Sequence, residues 1–328
     1  MKHAKIGLLN KKRGNFTMQE KFTGAGEVTD RTLDEVRHHE EALRRGGYDV
    51  RVINWGPDVI RDLTEADVDI VFNVSSLVEA AILEELAIPF VGSDTTTIAL
   101  ASDKSLTKKI WSREGLPTSP FCVVRREEDC EIFRDDPPFG YPLFIKPVAG
   151  RGSAGVTGAS VVENYDQLVR GVLERCATIG QPVLIERFLR GREITQCLLG
   201  NAGDARVLPP LEIVYRKGAV TLTFDKKEAD DDTFVCPAPM TADETEMMQN
   251  LARRAYTALG FNDYGRIDAI LTDEGPSLLE ANTFAGLMCT PAEKPHSYIG
   301  VMAAAAGMDG KELLGEIVRV ALERYHLI

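Results

Sequence analysis

The chain has 328 residues, of which 50 are acidic and 38 are basic, so it carries a net charge of -12 and has a pI near 5.1. A chain of this size suits two or three lobes and can bury about three-quarters of its unfolded surface. The acidic balance excludes nucleic acid as the main partner, because binding a polyanion needs clustered Lys and Arg side chains.

The six cysteines are scattered and have no companion Cys or His at metal-ligand spacing. This pattern indicates reduced thiols rather than a disulfide framework or a zinc site. No apolar segment of the signal-peptide type precedes the first strand, and no run approaches the about 20 apolar residues of a membrane span. We therefore expect a soluble cytoplasmic protein without a membrane partner.

The N-terminal part of the chain alternates apolar strands with amphipathic helices, which predicts a small parallel α/β layer. The predicted elements are strands 4–10, 48–53, 69–73 and 88–93 and helices 33–45 and 77–86. The loop at 11–30 is long, since β-α loops commonly have about 2–6 residues. Because parallel sheets bind ligands at the C-terminal ends of their strands, we assign this loop a substrate role. A solvated insertion is the alternative.

The remaining chain predicts two further lobes. The second would contain helices 98–114 and 166–179 and a mixed sheet of strands 121–125, 143–148, 158–162 and 183–188. We interpret the charged, Pro-rich segment 125–138 as a surface excursion. The third would contain strands 193–200, 207–215 and 220–224, helices 243–259 and 311–325, and a hairpin. We place the lobes at 1–97, 98–189 and 190–328.

The hairpin spans Tyr264 to Thr283, where two apolar runs flank a cluster of turn formers. Pairing Leu271 with Ser277 places Asp268 opposite Glu280 and Arg266 opposite Asn282. All four side chains then share one face, because strand side chains alternate with period two. The same register places Leu279 on the face of Ile267 and Leu278 on the other. Apolar residues on both faces predict that the hairpin is largely buried.

Two opposed carboxylates in a buried hairpin need a cation. Like charges directly opposite destabilise a sheet, and an unpaired buried carboxylate costs several kcal/mol. Mg2+ commonly takes one or two carboxylates while nucleotide phosphates complete its shell. Asp268, Glu280 and the amide oxygen of Asn282 fit that set. Neutralisation of both carboxylates by Arg266 alone is the alternative that the hairpin itself leaves open.

Two other strands end in charged residues. Lys146 ends an apolar strand, and Gly150, Gly152 and Gly155 follow. Glycines let backbone N–H groups approach phosphate oxygens, although the lysine precedes them, unlike in the P-loop. Glu186 ends the other strand, and Glu193 follows seven residues later. The segment that starts at Glu186 could hold adenine, and Glu193 could bind a ribose. The alternative for each of these two acids is an ordinary salt bridge.

The order of these motifs resembles the ATP-grasp superfamily and, within it, the D-alanine–D-alanine ligase branch. The resemblance covers nearly the whole chain. Its matching segments are Val71 to Asn73, Ile88 to Ser93, Ser102 to Lys108, Lys146 with Pro147, Glu186, Cys236 to Ala238, Gly265 to Asp268 and Leu278 to Thr283. The implied fold is α/β with α+β lobes, in which an N-terminal parallel α/β lobe accompanies two lobes that clasp ATP.

The resemblance implies roles for residues that match the family pattern. The implied nucleotide-binding residues are Lys104, Lys146, Gly152, Ser153 and Lys226 for phosphates, Glu186, Arg187, Phe188 and Leu189 for adenine, and Glu193 for ribose. The implied metal ligands are Asp268, Glu280 and Asn282, holding two Mg2+ ions, with Mn2+ as an alternative. Arg266 and the Gly286 backbone would stabilise the tetrahedral intermediate.

The implied reaction joins a small-molecule carboxylate to an amine. ATP first phosphorylates the carboxylate, ADP leaves, and the amine attacks the acyl phosphate while surrounding cations offset the negative charge. No His or Cys nucleophile is required. A homodimer is the assembly that the family often forms.

Departures from the family pattern concentrate in the amino-acid half. The long loop replaces an early motif but retains Glu27, which could receive a substrate amine. Gly152 occupies the central Ser position of the glycine loop, and Lys226-Lys227 stands where the family has Lys-Tyr, so the family's Glu-Ser-Tyr triad cannot form as such. Ser297 corresponds to part of the family's carboxylate-binding His-Ser.

We therefore expect an ADP-forming carboxylate–amine ligase whose substrates differ from two D-alanines. D-alanine–D-alanine ligase is the first alternative. A small-molecule kinase that transfers phosphate to a hydroxyl is an alternative from another class, as is a nucleotide-binding regulatory module. The last is disfavoured because every implied metal ligand is present.

Overall fold

The computed structural model describes residues 4–10, 31–73, 76–150, 158–215, 233–289 and 297–328. The described strands are β1 Lys5–Asn10, β2 Asp49–Asn54, β3 Ile70–Phe72, β4 Phe90–Val91, β5 Phe121–Val124, β6 Leu143–Pro147, β7 Val161–Val162, β8 Val183–Arg187, β9 Arg192–Leu199, β10 Arg206–Val207, β11 Leu211–Val214, β12 Thr233–Val235, β13 Tyr264–Thr272 and β14 Gly275–Asn282. The described α-helices are α1 Arg31–Arg45, α2 Val59–Thr64, α3 Leu77–Glu85, α4 Thr95–Ser102, α5 Lys104–Arg113, α6 Tyr165–Ile179, α7 Ala242–Leu259, α8 Tyr298–Ala305 and α9 Gly310–Arg324. Among these residues, no helix is long and apolar enough to cross a membrane.

The N-terminal sheet has the order β2-β1-β3-β4, and every pairing in it is parallel. This confirms the predicted parallel α/β layer. Strand β1 divides its apolar side chains between two cores, because successive side chains point to opposite faces. Ile6 and Leu8 join a core that includes residues of α1 and α9, whereas Leu9 packs with Ile53 in the core on the other face.

The second sheet has the order β5-β8-β6-β7, and all its pairings are antiparallel, so the expectation of a mixed sheet was wrong. Apolar side chains of α6 pack on it, including Leu168 and Val172. The predicted surface excursion at 125–138 is only partly one. It contains the 3-10 helix Glu127–Phe133, whose Cys130 and Phe133 are buried. Two apolar residues of this charged segment are therefore packed in the core.

The predicted helix 98–114 is two helices that meet at Asp103. The carboxylate of Asp103 accepts hydrogen bonds from the backbone N–H groups of Ser105 and Leu106, at 2.9 and 3.0 Å, and so caps α5. Its backbone is extended and forms an isolated antiparallel bridge with Ala149. This junction places Lys104 at the first turn of α5, beside the end of β6.

The third sheet has the order β12-β11-β9-β13-β14, with β10 paired to β9. Helix α7 covers one face and contributes Met248 and Leu251 to a core shared with β13 and β14. The other face packs against α8 and α9. Helix α8 and strand β12 were not predicted, and the predicted strand 220–224 lies outside the described residues.

A buried ion pair ties three parts of the fold together. Arg324, at the end of α9, donates to the carboxylate of Asp263 through Nε and Nη2, at 3.0 and 2.8 Å. The same carboxylate accepts a 2.7 Å hydrogen bond from the backbone N–H of Gly92, and Arg324 donates to the carbonyl of Phe90 at 2.8 Å. The N-terminal sheet, the start of β13 and the last helix therefore meet at Asp263.

Replacement of Asp263 by Asn should lower the free energy of unfolding by about 2 kcal/mol, because Arg324 loses hydrogen bonds to a charged acceptor. Asn tolerates the left-handed backbone of this position, where φ is 63°, so the change isolates the charge. Chemical denaturation would measure it. Arg61→Gln, which removes an exposed ion pair with Asp58, serves as the control and should change little. Equal losses in the two variants would contradict the role of the buried pair.

Candidate active site

The hairpin of β13 and β14 places its polar residues as predicted. Arg266 pairs with Asn282, and Asp268 pairs with Glu280. The turn does not follow the predicted register, because Leu271 pairs with Pro276 rather than with Ser277. The register shifts by one residue between Asp268 and Ala269, so that Leu279 is an extra residue on β14.

Because of the bulge, Leu278 and Leu279 lie on the opposite faces of the hairpin from those predicted. Leu278 is fully buried in the same core as Ile267, whereas the predicted register had put Leu279 there. The backbone N–H of Leu278 donates to the carbonyl of Pro117 at 2.8 Å, and its carbonyl accepts from the hydroxyl of Thr118 at 2.9 Å. Contacts with the segment that precedes β5 therefore hold the bulged strand in place.

Asp268 is surrounded by hydrogen-bond donors. Arg266 donates to both carboxylate oxygens of Asp268, each at 2.8 Å, in a bidentate pair. The amide of Asn282 lies 3.0 Å from Oδ2, and the hydroxyl of Thr195 donates to Oδ1. Arg266 thus neutralises Asp268, as the alternative to a metal site had proposed for both carboxylates. The ring of Tyr298 lies against the same guanidinium, with its centroid 5.0 Å from Cζ.

Lys104 joins the hairpin to the start of the glycine loop. Its Nζ lies 3.8 Å from Oε2 of Glu280 and donates to the carbonyl of Gly150 at 2.8 Å. Its backbone N–H also bonds to Val148 at the end of β6. The predicted phosphate-binding lysine and a predicted metal ligand therefore lie side by side.

Glu193 adds a third carboxyl group to this region. Burial raises the pKa of Glu193 to about 7, the hydrogen bond from the Tyr215 hydroxyl opposes that shift, and the negative charges of Asp268 and Glu280 reinforce it. Three carboxyl groups thus influence one another in this region, where Arg266 supplies an opposing positive charge. No group of three His, Cys, Asp or Glu side chains in the described ranges is arranged as a metal site by itself. The chemistry fits Mg2+, because that ion takes carboxylate and amide oxygens and uses phosphate oxygens for the rest.

Glu186 lies in a buried cluster with two lysines. Its carboxylate oxygens lie 3.0 Å from Nζ of Lys108 and 3.1 Å from Nζ of Lys146. Burial by itself would raise the pKa of Glu186, but the two lysines outweigh it and hold the pKa below its usual value. The cluster carries one excess positive charge, which suits a neighbouring anion such as a phosphate.

Lys108 was not among the predicted site residues. It is fully buried and also donates to the hydroxyl of Thr118 at 2.6 Å. Helical periodicity does not distinguish a buried lysine from one at the edge of an exposed face. The only available signal was its place at the end of the matching segment Ser102 to Lys108. The structure thus adds one cation to the predicted set.

The proposed adenine segment begins at the end of β8. The backbone N–H groups of Arg187 and Phe188 donate to the carbonyls of Pro120 and Pro142, at 3.0 and 3.1 Å. The rings of Phe188 and Phe144 stack with centroids 6.4 Å apart. Leu189 continues this segment, which is therefore fixed at an apolar edge of the second sheet.

Gly286 and Ser297 lie side by side. A Cβ atom at Gly286 would lie 3.2 Å from Cβ of Ser297, so a side chain there would crowd the site. The hydroxyl of Ser297 donates to the carbonyl of Met288 and accepts from the backbone N–H of Gly300, each at 3.0 Å. Ser297 thus caps α8, and Tyr298, the first residue of that helix, contacts Arg266. The fold brings Arg266, Gly286 and Ser297 into one region.

Four predicted site residues lie outside the described residues, namely Glu27, Gly152, Ser153 and Lys226. Their roles stay predictions.

Comparison with known proteins places the chain in a family. Residues 110–319 match the family model described as the D-Ala D-Ala ligase C-terminus. The chain belongs to the D-alanine–D-alanine ligase family. It is 34% identical to the D-alanine–D-alanine ligase of Bordetella avium over 282 residues, which cover 83% of this chain and 84% of that protein. It is 31% identical to that of Halalkalibacterium halodurans over 295 residues, covering 87% and 92%.

Solved structures support the ATP-grasp fold of this ligase family member. The D-alanine–D-alanine ligase of Bacillus anthracis complexed with ATP superposes with a TM-score of 0.75 at 22% identity, over 99% of both chains. The VanG D-Ala:D-Ser ligase of Enterococcus faecalis gives a TM-score of 0.73 at 21% identity, over 98% of this chain and 100% of that one. The protein is an ADP-forming carbon–nitrogen ligase that uses ATP.

Proposed function

We propose that the protein joins two D-alanine molecules. The observation that carries this proposal is the identity of 31 to 34% with D-alanine–D-alanine ligases over most of the chain. That extent supports the first alternative of the sequence analysis better than its main expectation of a different substrate pair. The residues that replace the family's amino-acid-binding motifs would then bind the same substrates through different contacts.

Each described site residue has a role in the proposed reaction. Lys104 and Lys146 bind phosphate oxygens, the segment from Glu186 to Leu189 holds adenine, and Glu193 holds the ribose. Asp268, Glu280 and Asn282 would hold Mg2+, with two ions or Mn2+ as variants of the same site. The bound metal would offset the charge of the phosphates during transfer.

Arg266 and the backbone N–H of Gly286 then stabilise the oxyanion of the tetrahedral intermediate. The bidentate pair with Asp268 fixes the plane of the Arg266 guanidinium, and the ring of Tyr298 supports it on one side. Arg266 is therefore oriented before the substrate arrives, which avoids reorganisation during the reaction. A homodimer remains part of the proposal.

The direct test is ADP release with Mg-ATP and D-alanine, with product masses read in parallel. Release that depends on D-alanine and gives a product mass of two D-alanines less water is the expected result. A product from other carboxylate and amine pairs, but none from D-alanine, would restore the expectation of different substrates. A phosphorylated hydroxyl compound as product would indicate the kinase alternative.

Glu193 gives a separate prediction for the nucleotide. Above pH 7, where Glu193 is mostly charged, Glu193→Gln should raise the KM for ATP about tenfold or more, because a hydrogen bond to a charged acceptor contributes about 1.5–3 kcal/mol. The KM for 2′,3′-dideoxy-ATP should change little, since that nucleotide lacks both ribose hydroxyls. Steady-state kinetics with the two nucleotides would measure the difference, and equal effects on both would exclude ribose binding by Glu193.

A further inference from the structure

Glu35, on α1, lies at the amino-acid end of the candidate site. Its Oε1 atom would be 3.8 Å from a Cβ atom placed at Gly286, on a glycine that also borders Ser297. The backbone N–H of Leu287 lowers the pKa of the Glu35 carboxylate. About a third of its side chain is exposed, at 31%, so the carboxylate is within reach of a small molecule. The N-terminal lobe thus contributes a described acid to the region of Gly286 and Ser297.

The carboxylate of Glu35 has no ion pair with Lys or Arg in the described part of the chain. Nε2 of His39 lies 4.0 Å from Oε1 of Glu35. His39 is fully buried, and burial lowers its pKa to about 3, so its ring is neutral and supplies no charge. Burial also raises the pKa of Glu35, and the backbone N–H of Leu287 only partly offsets this shift. A substrate cation would therefore gain from this carboxylate, because opposite charges favour each other most where solvent is limited.

We propose that Glu35 recognises the ammonium group of the acceptor amino acid and takes one proton from it. The inference rests on the proposed function and names the residue that completes its acceptor site. An amino acid carries its ammonium and carboxylate groups on one carbon, so one molecule can reach Glu35 and the neighbourhood of Ser297 together. Gly286 borders both residues and adds no side chain between them.

The proton transfer balances the amide-forming step. The acceptor ammonium gives one proton to the Glu35 carboxylate and becomes a neutral amine. The amine nitrogen attacks the carbonyl carbon of the acyl phosphate, a C–N bond forms, and the C–O bond to phosphate breaks. The second proton on nitrogen leaves with the phosphate. This role matters here because the family's Glu-Ser-Tyr hydrogen-bond triad cannot form as such, since Gly152 and Lys227 replace two of its members.

A competition between two acceptors tests the proposal. Wild type and Glu35→Gln are supplied with Mg-ATP and equal D-alanine and D-lactate, in which a hydroxyl replaces the ammonium. Glutamine has nearly the same size as glutamate but lacks the charge. The ratio of amide to ester product, read by mass spectrometry, should fall about tenfold or more, because a charge-assisted hydrogen bond is lost only for D-alanine. Glu35→Asp should give an amide-to-ester ratio close to that of wild type. Glu35→Ala, a second neutral variant, should show the same fall in the ratio as Glu35→Gln.

Glu41→Gln is the matched control, because Glu41 is an exposed carboxylate of the same helix, and it should leave the ratio unchanged. An unaltered ratio in both neutral variants, with or without a lower total rate, would reduce Glu35 to a structural residue and overturn the proposal while leaving the ligase function intact. If wild type makes no product that contains two D-alanines, the proposed function itself fails, and D-alanine as the acceptor fails with it.

Discussion

Glu280→Ala is expected to lower kcat about 10³-fold or more, since a metal held at developing charge contributes several kcal/mol. Glu280 faces Asp268 directly across the hairpin, but Arg266 and Asn282 already bind Asp268. Glu280 would supply the second carboxylate of the metal site, and it lies beside Lys104. The measurement is ADP release with D-alanine across a range of Mg2+ concentrations, and excess Mg2+ should restore only part of the activity.

The fold should tolerate this change. Removing one of two opposed carboxylates relieves a repulsion within the sheet, so the unfolding midpoint should not fall. Glu274→Gln provides a matched control, because Glu274 lies in the turn of the same hairpin and its side chain is 87% exposed. The metal assignment would be wrong if Glu280→Ala consumed ATP at the rate of Glu274→Gln.

Glu186→Gln should lower the free energy of unfolding by about 3–5 kcal/mol, because it leaves buried charges without their partner. Lys108 and Lys146 both pair with this one carboxylate, and Lys108 is completely shielded from solvent. The loss should be measured by urea denaturation without nucleotide. Addition of ATP should recover part of the stability, because its phosphates would supply the missing negative charge and a ligand stabilises the state that binds it.

Lys108→Met is the informative comparison. It leaves Glu186 paired with Lys146, so the remaining cluster is neutral, and the loss should be clearly smaller than in Glu186→Gln. A larger loss in Lys108→Met would mean that the packing of Lys108 stabilises the lobe more than charge compensation does.

Local patterns were sufficient to predict the hairpin, but not its full register. Alternation placed Asp268 opposite Glu280 correctly although the turn pairing was wrong by one residue, because the bulge restores the predicted register on the side that carries the site. The bulge depends on contacts of Leu278 with Pro117 and Thr118, which are far away in sequence. No local pattern contains that information.

Long-range contacts also explain the other differences between the predicted and the observed structure. The break at Asp103 depends on its bridge to Ala149, and the burial of Lys108 depends on Glu186 in another strand. Glu35 becomes part of the site only because α1 packs beside the segment that follows β14. A single sequence gives the chemical type of each residue, whereas these partners follow from tertiary packing.

The bulge at Leu279 separates the hairpin into two parts that evolution can treat differently. Between the bulge and the turn, strand pairs could be added or removed without moving Asp268 relative to Glu280. Between the bulge and Asn282, loss of one residue would turn every following side chain to the opposite face. Natural variation in chain length should therefore accumulate near the turn formed by Asp273 and Glu274. Protein engineers could attach reporter peptides there while the chemistry at the other end of the hairpin continues.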